Sequence, residues 1–118
     1  MDLQLEGKCA LVTGSSRGLG ETMARSLAAE GVNVIVHGRI KEAAEEVAHS
    51  IGGSDRVAVV LGDLAEAGTV DRVADEAGAA FGGIDILVNN AGLFGPDEWN
   101  NVVASEWLSL YATNVAAP

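Results

Sequence analysis

Short apolar runs rich in β-branched residues recur along the chain and predict four buried strands. They lie at Ala10–Val12, Val32–Val36, Val57–Leu61 and Ile84–Val88. Each run is too short and too continuously apolar for the alternating pattern of a strand with one solvated face. We therefore expect strands that are covered on both faces, as in a parallel sheet.

Between these runs lie Ala- and Glu-rich stretches whose apolar residues have helical spacing. They predict helices at Leu19–Glu30, Lys41–Ile51 and Thr69–Phe81, with Thr69 as the N-cap of the third. Glycines follow all three stretches directly, at Gly31, at Gly52 and Gly53, and at Gly82 and Gly83. A left-handed residue that ends a helix costs glycine little, so the glycines agree with the predicted helix ends.

The alternation of strands and helices predicts an α/β fold with a doubly wound parallel sheet. Successive parallel strands joined by helices require right-handed crossovers and a layered arrangement. A long irregular connection from Gly92 to Ala104 and a helix at Ser105–Ala117 complete the chain. The 118 residues contain no repeat and no linker, so we assign residues 1–118 to one domain or part of one.

Charge makes several classes of partner poor candidates. Seven Lys and Arg stand against 17 Asp and Glu, a net charge of −10, which repels phosphate backbones and anionic lipid surfaces. We expect neither nucleic acid nor membrane as a partner. Six of the seven basic residues lie at or before Arg56, so a site for an anion is expected in the first half.

Other features of the composition bear on the compartment and on metals. No apolar stretch approaches the roughly 18 residues of a membrane span. Acidic residues at the N-terminus do not fit a secretion signal, so a cytoplasmic protein is expected. Cys9, the single cysteine, rules out an internal disulfide and a multi-cysteine zinc site, and we expect it to be buried in a strand. No metal site is predicted.

A glycine-rich loop connects the first strand to the first helix. Its residues are Thr13, Gly14, Ser15, Ser16, Arg17, Gly18, Leu19 and Gly20. Glycines in this position allow a tight turn and a close approach of the backbone to a pyrophosphate, which the free N–H groups of the helix start can bind. The alternative is a strand-to-helix turn that binds nothing.

The spacing Thr-Gly-x-x-x-Gly-x-Gly resembles the short-chain dehydrogenase/reductase family, and three further segments fall where that family has them. They are Asp63-Leu64 after the third strand, Asn89-Asn90-Ala91-Gly92 after the fourth, and Asn114 in the last helix. The resemblance covers essentially the whole chain and implies a Rossmann-like fold, in which we expect the strand order 3-2-1-4.

The resemblance also implies roles for these residues. Asp63 and Leu64 would contact the adenine ring, and Asn114 would be the active-site asparagine. Asn89 would hold the centre of the sheet, whereas Asn90, Ala91 and Gly92 would lie on the cofactor side. From the residues alone, Asp63 is equally a cap or turn residue, and Asn114 is a satisfied core amide.

The end of the second strand favours NADP(H), with NAD(H) kept as the alternative. A ribose 2′-hydroxyl is usually held by an acidic residue at this position, but the strand ends His37-Gly38-Arg39. Gly38 stands where NAD-dependent members of the family carry Asp. The guanidinium groups of Arg39 and Arg17 can bind a 2′-phosphate through charge-assisted hydrogen bonds. The alternative is that both are surface arginines without a ligand.

The family's catalytic Tyr-x-x-x-Lys pair is absent from this sequence. Tyr111 is the only tyrosine, Val115 stands four residues later, and the two lysines are Lys8 and Lys41. Only Asn114 of the family's active-site residues has a counterpart. The chain thus resembles the N-terminal, cofactor-binding half of the family's domain.

The function that the resemblance implies is interconversion of a small-molecule carbonyl and an alcohol. The sequence is similar to the branch of 3-oxoacyl-carrier-protein reductases and sugar or polyol dehydrogenases, and a homo-oligomer is implied. One alternative is a non-catalytic nucleotide-binding fragment. Another is a methyltransferase. Proteins of that class usually have an acidic residue at the end of the second strand, which is absent here, and they lack the Asn-Asn-Ala-Gly segment.

Overall fold

A computed structural model describes residues 2–93 and 103–118, and its strands form one parallel sheet. The strands are β1 (Cys9–Val12), β2 (Asn33–Gly38), β3 (Val57–Leu61) and β4 (Ile86–Val88). Their order in the sheet is β3-β2-β1-β4, which confirms the predicted order and the α/β fold class. Most of the irregular connection predicted from Gly92 to Ala104 lies outside the described residues.

Four α-helices accompany the strands among the described residues. They are α1 (Gly18–Ala29), α2 (Lys41–Ile51), α3 (Thr69–Ala80) and α4 (Ala104–Tyr111). The helix predicted at Ser105–Ala117 is not α-helical throughout. Its second part, Ala112–Ala116, is a π-helical turn in which the Ala117 N–H donates to the Ala112 carbonyl at 3.0 Å. Such a turn shifts the helix phase, so a face extrapolated from α4 does not continue unchanged.

The core has two parts because successive strand residues point to opposite faces of the sheet. On one face, residues of β1 and β2 pack with α1 and α2; the buried residues there include Ala10, Val12, Val34, Val36, Ala24, Ala44 and Val47. On the other face the alternate residues pack with α3, among them Cys9, Leu11, Ile35, Val60, Val73 and Ala77. The expected burial of Cys9 and the coverage of β1 and β2 on both faces are confirmed.

The fourth strand differs from its prediction in length and burial. It has three residues instead of the five from Ile84 to Val88. Ile86 and Val88 pack against the cluster that contains α1 and α2, whereas Leu87, on the opposite face, is 54% exposed. Coverage on both faces was therefore wrong for β4 within the described residues, because α3 packs over the β1–β2–β3 side of that face.

Two of the predicted helix ends need correction. After α1, Gly31 has φ +85° and its N–H donates to Ala28 O at 3.0 Å, as expected for a left-handed helix end. Gly52 instead is extended, with φ 172°. At the start of α3, the N-cap is Gly68 (φ 80°), not Thr69. Thr69 is buried and its methyl group lies against Gly62, so its side chain does not cap the helix.

Candidate functional site

The glycine loop and the segment after β4 meet at the carboxyl end of the sheet. β1 lies between β2 and β4, so the chain leaves β1 on one side and returns on the other, which opens a crevice at this edge. The two segments approach so closely that a Cβ atom on Gly14 would lie 3.0 Å from Ala91 Cα. Both segments therefore line the same end of the sheet.

Thr13 joins the two segments through its buried hydroxyl. Its Oγ1 accepts the N–H groups of Asn90 and Ala91, each at 3.0 Å, and lies 3.4 Å from Val88 O. Sequence reasoning quoted Thr13 as part of the motif but did not identify it as a site residue. The available signal was a hydroxyl directly after a buried strand, since a buried polar group needs partners.

Replacing Thr13 by Val is expected to lower the free energy of unfolding by about 1–3 kcal/mol, because two partly buried N–H groups lose their acceptor. Thr13→Ser keeps the hydroxyl and is the matched control, for which we expect a smaller loss. Urea denaturation of the two variants measures the difference. Equal stability of the Val and Ser variants would contradict the assigned role of the hydroxyl.

The side chain of Asn90 fastens the segment after β4 to the glycine loop. Its Nδ2 donates to Thr13 O at 3.1 Å and to Gly14 O at 3.2 Å. Asn89 is exposed and makes no side-chain hydrogen bond with the part of the chain that the structure describes. The role at the centre of the sheet that the resemblance implies for Asn89 stays a prediction, and the amide that holds this segment to the loop is that of Asn90.

The first turn of α1 presents unpaired N–H groups at the crevice. The N–H groups of Gly18, Leu19 and Gly20 have no acceptor within residues 2–93 and 103–118, and the N-cap Arg17 provides no side-chain cap. The positive end of the helix dipole adds to their attraction for an anion. Ser15, in contrast, is fully buried and its hydroxyl accepts the His37 N–H at 2.9 Å, so its side chain is turned away from the crevice.

Arg17 and Arg39 flank a close contact between the glycine loop and the end of β2. A Cβ atom on Gly38 would lie 2.7 Å from Ser16 Oγ, and the two arginines directly follow these two residues. Neither guanidinium has a hydrogen-bond or ion-pair partner among the described residues. The other arginines do: Arg25 and Arg72 pair with glutamates, and Arg56 donates to a backbone carbonyl. Two arginines without a partner among residues 2–93 and 103–118 thus border this contact.

Asp63 and Leu64 lie in the turn after β3. Asp63 Oδ1 accepts the Ala65 N–H at 2.9 Å, and the Asp63 carbonyl accepts the Glu66 N–H at 3.0 Å. Leu64 is partly buried against the core cluster of the α3 face. The turn role considered for Asp63 is therefore present, and it leaves the second carboxylate oxygen for another partner.

The side-chain amide of Asn114, in the π-helical turn, makes two hydrogen bonds with the backbone of Leu93. Its Oδ1 accepts the Leu93 N–H at 2.7 Å and its Nδ2 donates to Leu93 O at 2.9 Å. The amide is exposed rather than buried on an apolar face, but the expectation that it finds a partner is confirmed. Gly92 lies beside it, since a Cβ atom there would be 3.3 Å from Asn114 Oδ1.

The residues that the structure describes also bear on two other features, a metal centre and a membrane span. No group of three or more His, Cys, Asp or Glu side chains within them is arranged to hold a metal ion. No helix within them has the length and apolar character needed to cross a membrane.

Known proteins share this arrangement over the whole chain but not over their own whole length. An uncharacterised oxidoreductase of Bacillus subtilis is 37% identical over 115 residues, which are 98% of this chain and 43% of that protein. Among solved structures, L-sorbose reductase of Gluconobacter frateurii, complexed with NADPH and L-sorbose, has a TM-score of 0.90 at 34% identity, covering 99% of this chain and 45% of its own.

A third similar protein is a 3-ketoacyl-(acyl-carrier-protein) reductase of Brucella melitensis, complexed with NADH. It has a TM-score of 0.87 at 39% identity and is matched over 96% of this chain and 46% of its own. The chain thus spans less than half the length of these relatives. The family model described as short chain dehydrogenase matches residues 8–118. In the crevice between β1 and β4, a glycine loop contacts an Asn-Asn-Ala-Gly segment. From this contact and the match of the family model, we conclude that the chain belongs to the short-chain dehydrogenase family.

Proposed function

We propose that this chain is the cofactor-binding half of an NADP(H)-dependent oxidoreductase that interconverts a carbonyl and an alcohol. The observation that carries the proposal is the set of unsatisfied groups at one edge of the sheet. Three N–H groups at the start of α1 and the guanidinium groups of Arg17 and Arg39 have no partner among the described residues. Anionic phosphates are the groups that such donors bind best.

Each part of the cofactor has a proposed place. The N–H groups of Gly18, Leu19 and Gly20 would hold the pyrophosphate, with Gly14 and Ser16 completing the loop. Asp63 and Leu64 would receive the adenine ring, and the backbone of Asn90, Ala91 and Gly92 would line the nicotinamide side. When bound, the nicotinamide supplies or accepts the hydride.

The preference for NADP(H) follows from the contact between Ser16 and Gly38. A carboxylate on residue 38, as a 2′-hydroxyl would require, cannot enter without moving Ser16, because its Cβ atom alone would be 2.7 Å from the hydroxyl. Arg17 and Arg39 instead place positive charge on either side. NAD(H) stays the alternative, since a similar reductase was solved with NADH.

Arg39→Asp is expected to reverse this preference, because it deletes a phosphate partner and supplies an acceptor for a ribose hydroxyl. A charged hydrogen bond contributes roughly 1.5–3 kcal/mol, so NADPH affinity should fall by about one to two decades while NADH affinity rises. Fluorescence titration of both cofactors on the full chain measures the ratio. Arg56→Asp, at the opposite end of the sheet, is the control with the same charge change.

Asn114 is the family's active-site residue that we carry over. Its amide holds Leu93 and so fixes the start of the segment that leads from β4 to α4. A proton-relay role for Asn114, a 3-oxoacyl-thioester or sugar substrate, and association of subunits through the exposed side of α4 are parts of the same proposal.

A second candidate function is nucleotide binding without catalysis. The N–H groups at the start of α1 support it as well, because they can bind the phosphates of a nucleotide without taking part in a reaction. An intact-mass measurement of the protein isolated from its source distinguishes the two. A mass near 12.0 kDa supports the binding fragment, and about twice that mass supports the oxidoreductase.

A further inference from the structure

His37 lies at the carboxyl end of β2 and has partners for all of its hydrogen-bonding groups. It is 2% exposed. Its backbone N–H donates to Ser15 Oγ at 2.9 Å, and its carbonyl accepts the Ser15 N–H at 2.8 Å. The ring nitrogens Nδ1 and Nε2 lie 2.9 Å from the Gly14 nitrogen and from the Gly62 carbonyl oxygen. The imidazole therefore bridges the glycine loop and the end of β3.

The two ring contacts determine the protonation state of His37. A backbone N–H can only donate, so Nδ1 must accept the Gly14 hydrogen. A carbonyl can only accept, so Nε2 must carry the proton that is directed at Gly62. Only the neutral Nε2–H tautomer satisfies both contacts, because a second proton on Nδ1 would face the Gly14 N–H.

The segments that this ring joins have different proposed roles in binding the cofactor. Gly14 begins the loop for the pyrophosphate, and Gly62 directly precedes Asp63 in the turn for the adenine ring. The turn is also held from α3, where the Arg72 guanidinium donates to Leu61 O at 2.8 Å. The His37 ring links the two segments directly, in addition to the backbone hydrogen bonds that tie each of them to β2, from Ser15 N–H to His37 O at 2.8 Å and from Gly62 N–H to Gly38 O at 3.0 Å.

We propose that neutral His37 is a positioning residue, which sets the distance between the glycine loop and the Asp63 turn and so shapes the crevice for the dinucleotide. Protonation of the ring would break the hydrogen bond to Gly14 and so release the first glycine of the loop. The inference rests on the proposed function, because the dinucleotide is what requires both segments to be in place.

The surroundings of the ring favour its neutral form. Burial lowers the pKa of His37 from 6.5, opposed by the hydrogen bond to Gly62; Arg39 lowers it further and Asp63 raises it. The glycine loop meets the ring with the uncharged Gly14. The folded protein therefore binds this proton less readily than the unfolded chain does. The contribution of neutral His37 to stability is full above pH 6.5 and declines as the pH falls below that value.

Two substitutions separate the two ring contacts. In His37→Asn, the amide oxygen takes the place of Nδ1 and can accept the Gly14 N–H without titrating. In His37→Gln, the amide nitrogen takes the place of Nε2 and can donate to Gly62, but nothing accepts from Gly14. Both variants remove the titratable group, and they differ in which end of the bridge they break.

The test is NADPH affinity of the full chain and of both variants between neutral pH and well below 6.5. At neutral pH we expect both variants to bind NADPH roughly tenfold more weakly than the native protein, because His37→Asn loses the hydrogen bond to Gly62 and His37→Gln loses the one to Gly14. At low pH the native protein should lose affinity relative to His37→Asn. The 2′-phosphate of NADPH itself titrates at about pH 6. Its titration affects the three proteins equally, so the ratio of the native affinity to that of a variant reports on His37.

Equal NADPH affinity of all three proteins at every pH would overturn the inference. A native protein that binds neither NADPH nor NADH would contradict the proposed function instead. In that event the Gly14 amide, followed by NMR, still decides the role of His37. If the chemical shift of the Gly14 amide does not change with the titration of the imidazole, the inference is overturned. A shift that follows the titration supports the hydrogen bond by which His37 positions the loop.

Discussion

Gly20→Ala is expected to destabilise the protein by about 3 kcal/mol, since overpacking and a broken hydrogen bond each cost roughly 1–3 kcal/mol. A Cβ atom at this position would overlap Asn90 Nδ2 and the Gly14 carbonyl, the two groups that hydrogen-bond each other across the crevice. Neither can retreat, because Asn90 is also bonded to Thr13. The loss is a large fraction of the 5–15 kcal/mol of a typical domain, and urea denaturation measures it.

Gly78→Ala is the matched control for this prediction. Gly78 is also a helical glycine, in α3, but nothing lies within 4 Å of the position that a Cβ atom would occupy. The same substitution should there stabilise the protein by roughly 0.5–1 kcal/mol, because alanine loses less backbone entropy in a helix. Effects of the same sign at both positions would refute the argument from close packing.

A polypeptide of these 118 residues alone is expected to show no reductase turnover above background. General acid–base catalysis contributes roughly 10²–10⁴ to rate, and the family's Tyr-x-x-x-Lys pair that supplies it is absent from the sequence. Tyr111 is no substitute: it is 61% exposed on α4, and Val115 stands where the lysine would be. Positioning of a substrate is lost as well, which costs further orders of magnitude.

The assay follows NADPH oxidation by the mass-verified polypeptide with ketones, 3-oxoacyl thioesters and sugars. Binding of NADPH without turnover is the expected combination, since the glycine loop, Arg17 and Arg39 belong to this chain. Turnover that persists after removal of any longer form of the protein would show that the chain contains its own acid–base machinery.

The α/β class and the position of the glycine loop follow from local patterns, and the strand order follows from these patterns together with the family resemblance. Continuous apolar runs predict strands that lie inside the sheet, and right-handed crossovers leave few ways to order them. The glycine loop follows β1 in sequence, so its place at the carboxyl end of the sheet is determined as soon as β1 is. The meeting of this loop with the segment after β4 follows from the parallel direction of both strands.

Local patterns are weaker at the ends of elements, where periodicity stops. Thr69 has a side chain suited to capping, but Gly68 takes that place because Thr69 is needed in the packing against Gly62. The last helix continues as a π-helical turn from Ala112, and nothing in its alanine-rich sequence distinguishes that turn from another α-helical one. In both cases the energy differences are small enough for neighbouring elements to decide.

The sequence by itself determined the elements, their order and the backbone loop that can receive phosphates. Only the tertiary structure decided which polar side chains hold that loop. Thr13 and Asn90 are 77 residues apart, and His37 reaches Gly14 and Gly62 across intervals of 23 and 25 residues. A hydrogen bond requires the distance between donor and acceptor to lie within a few tenths of an ångström of its preferred value. Such distances depend on how whole strands and helices pack. The type of a residue determines which hydrogen bonds its side chain can make, but not which groups lie within its reach.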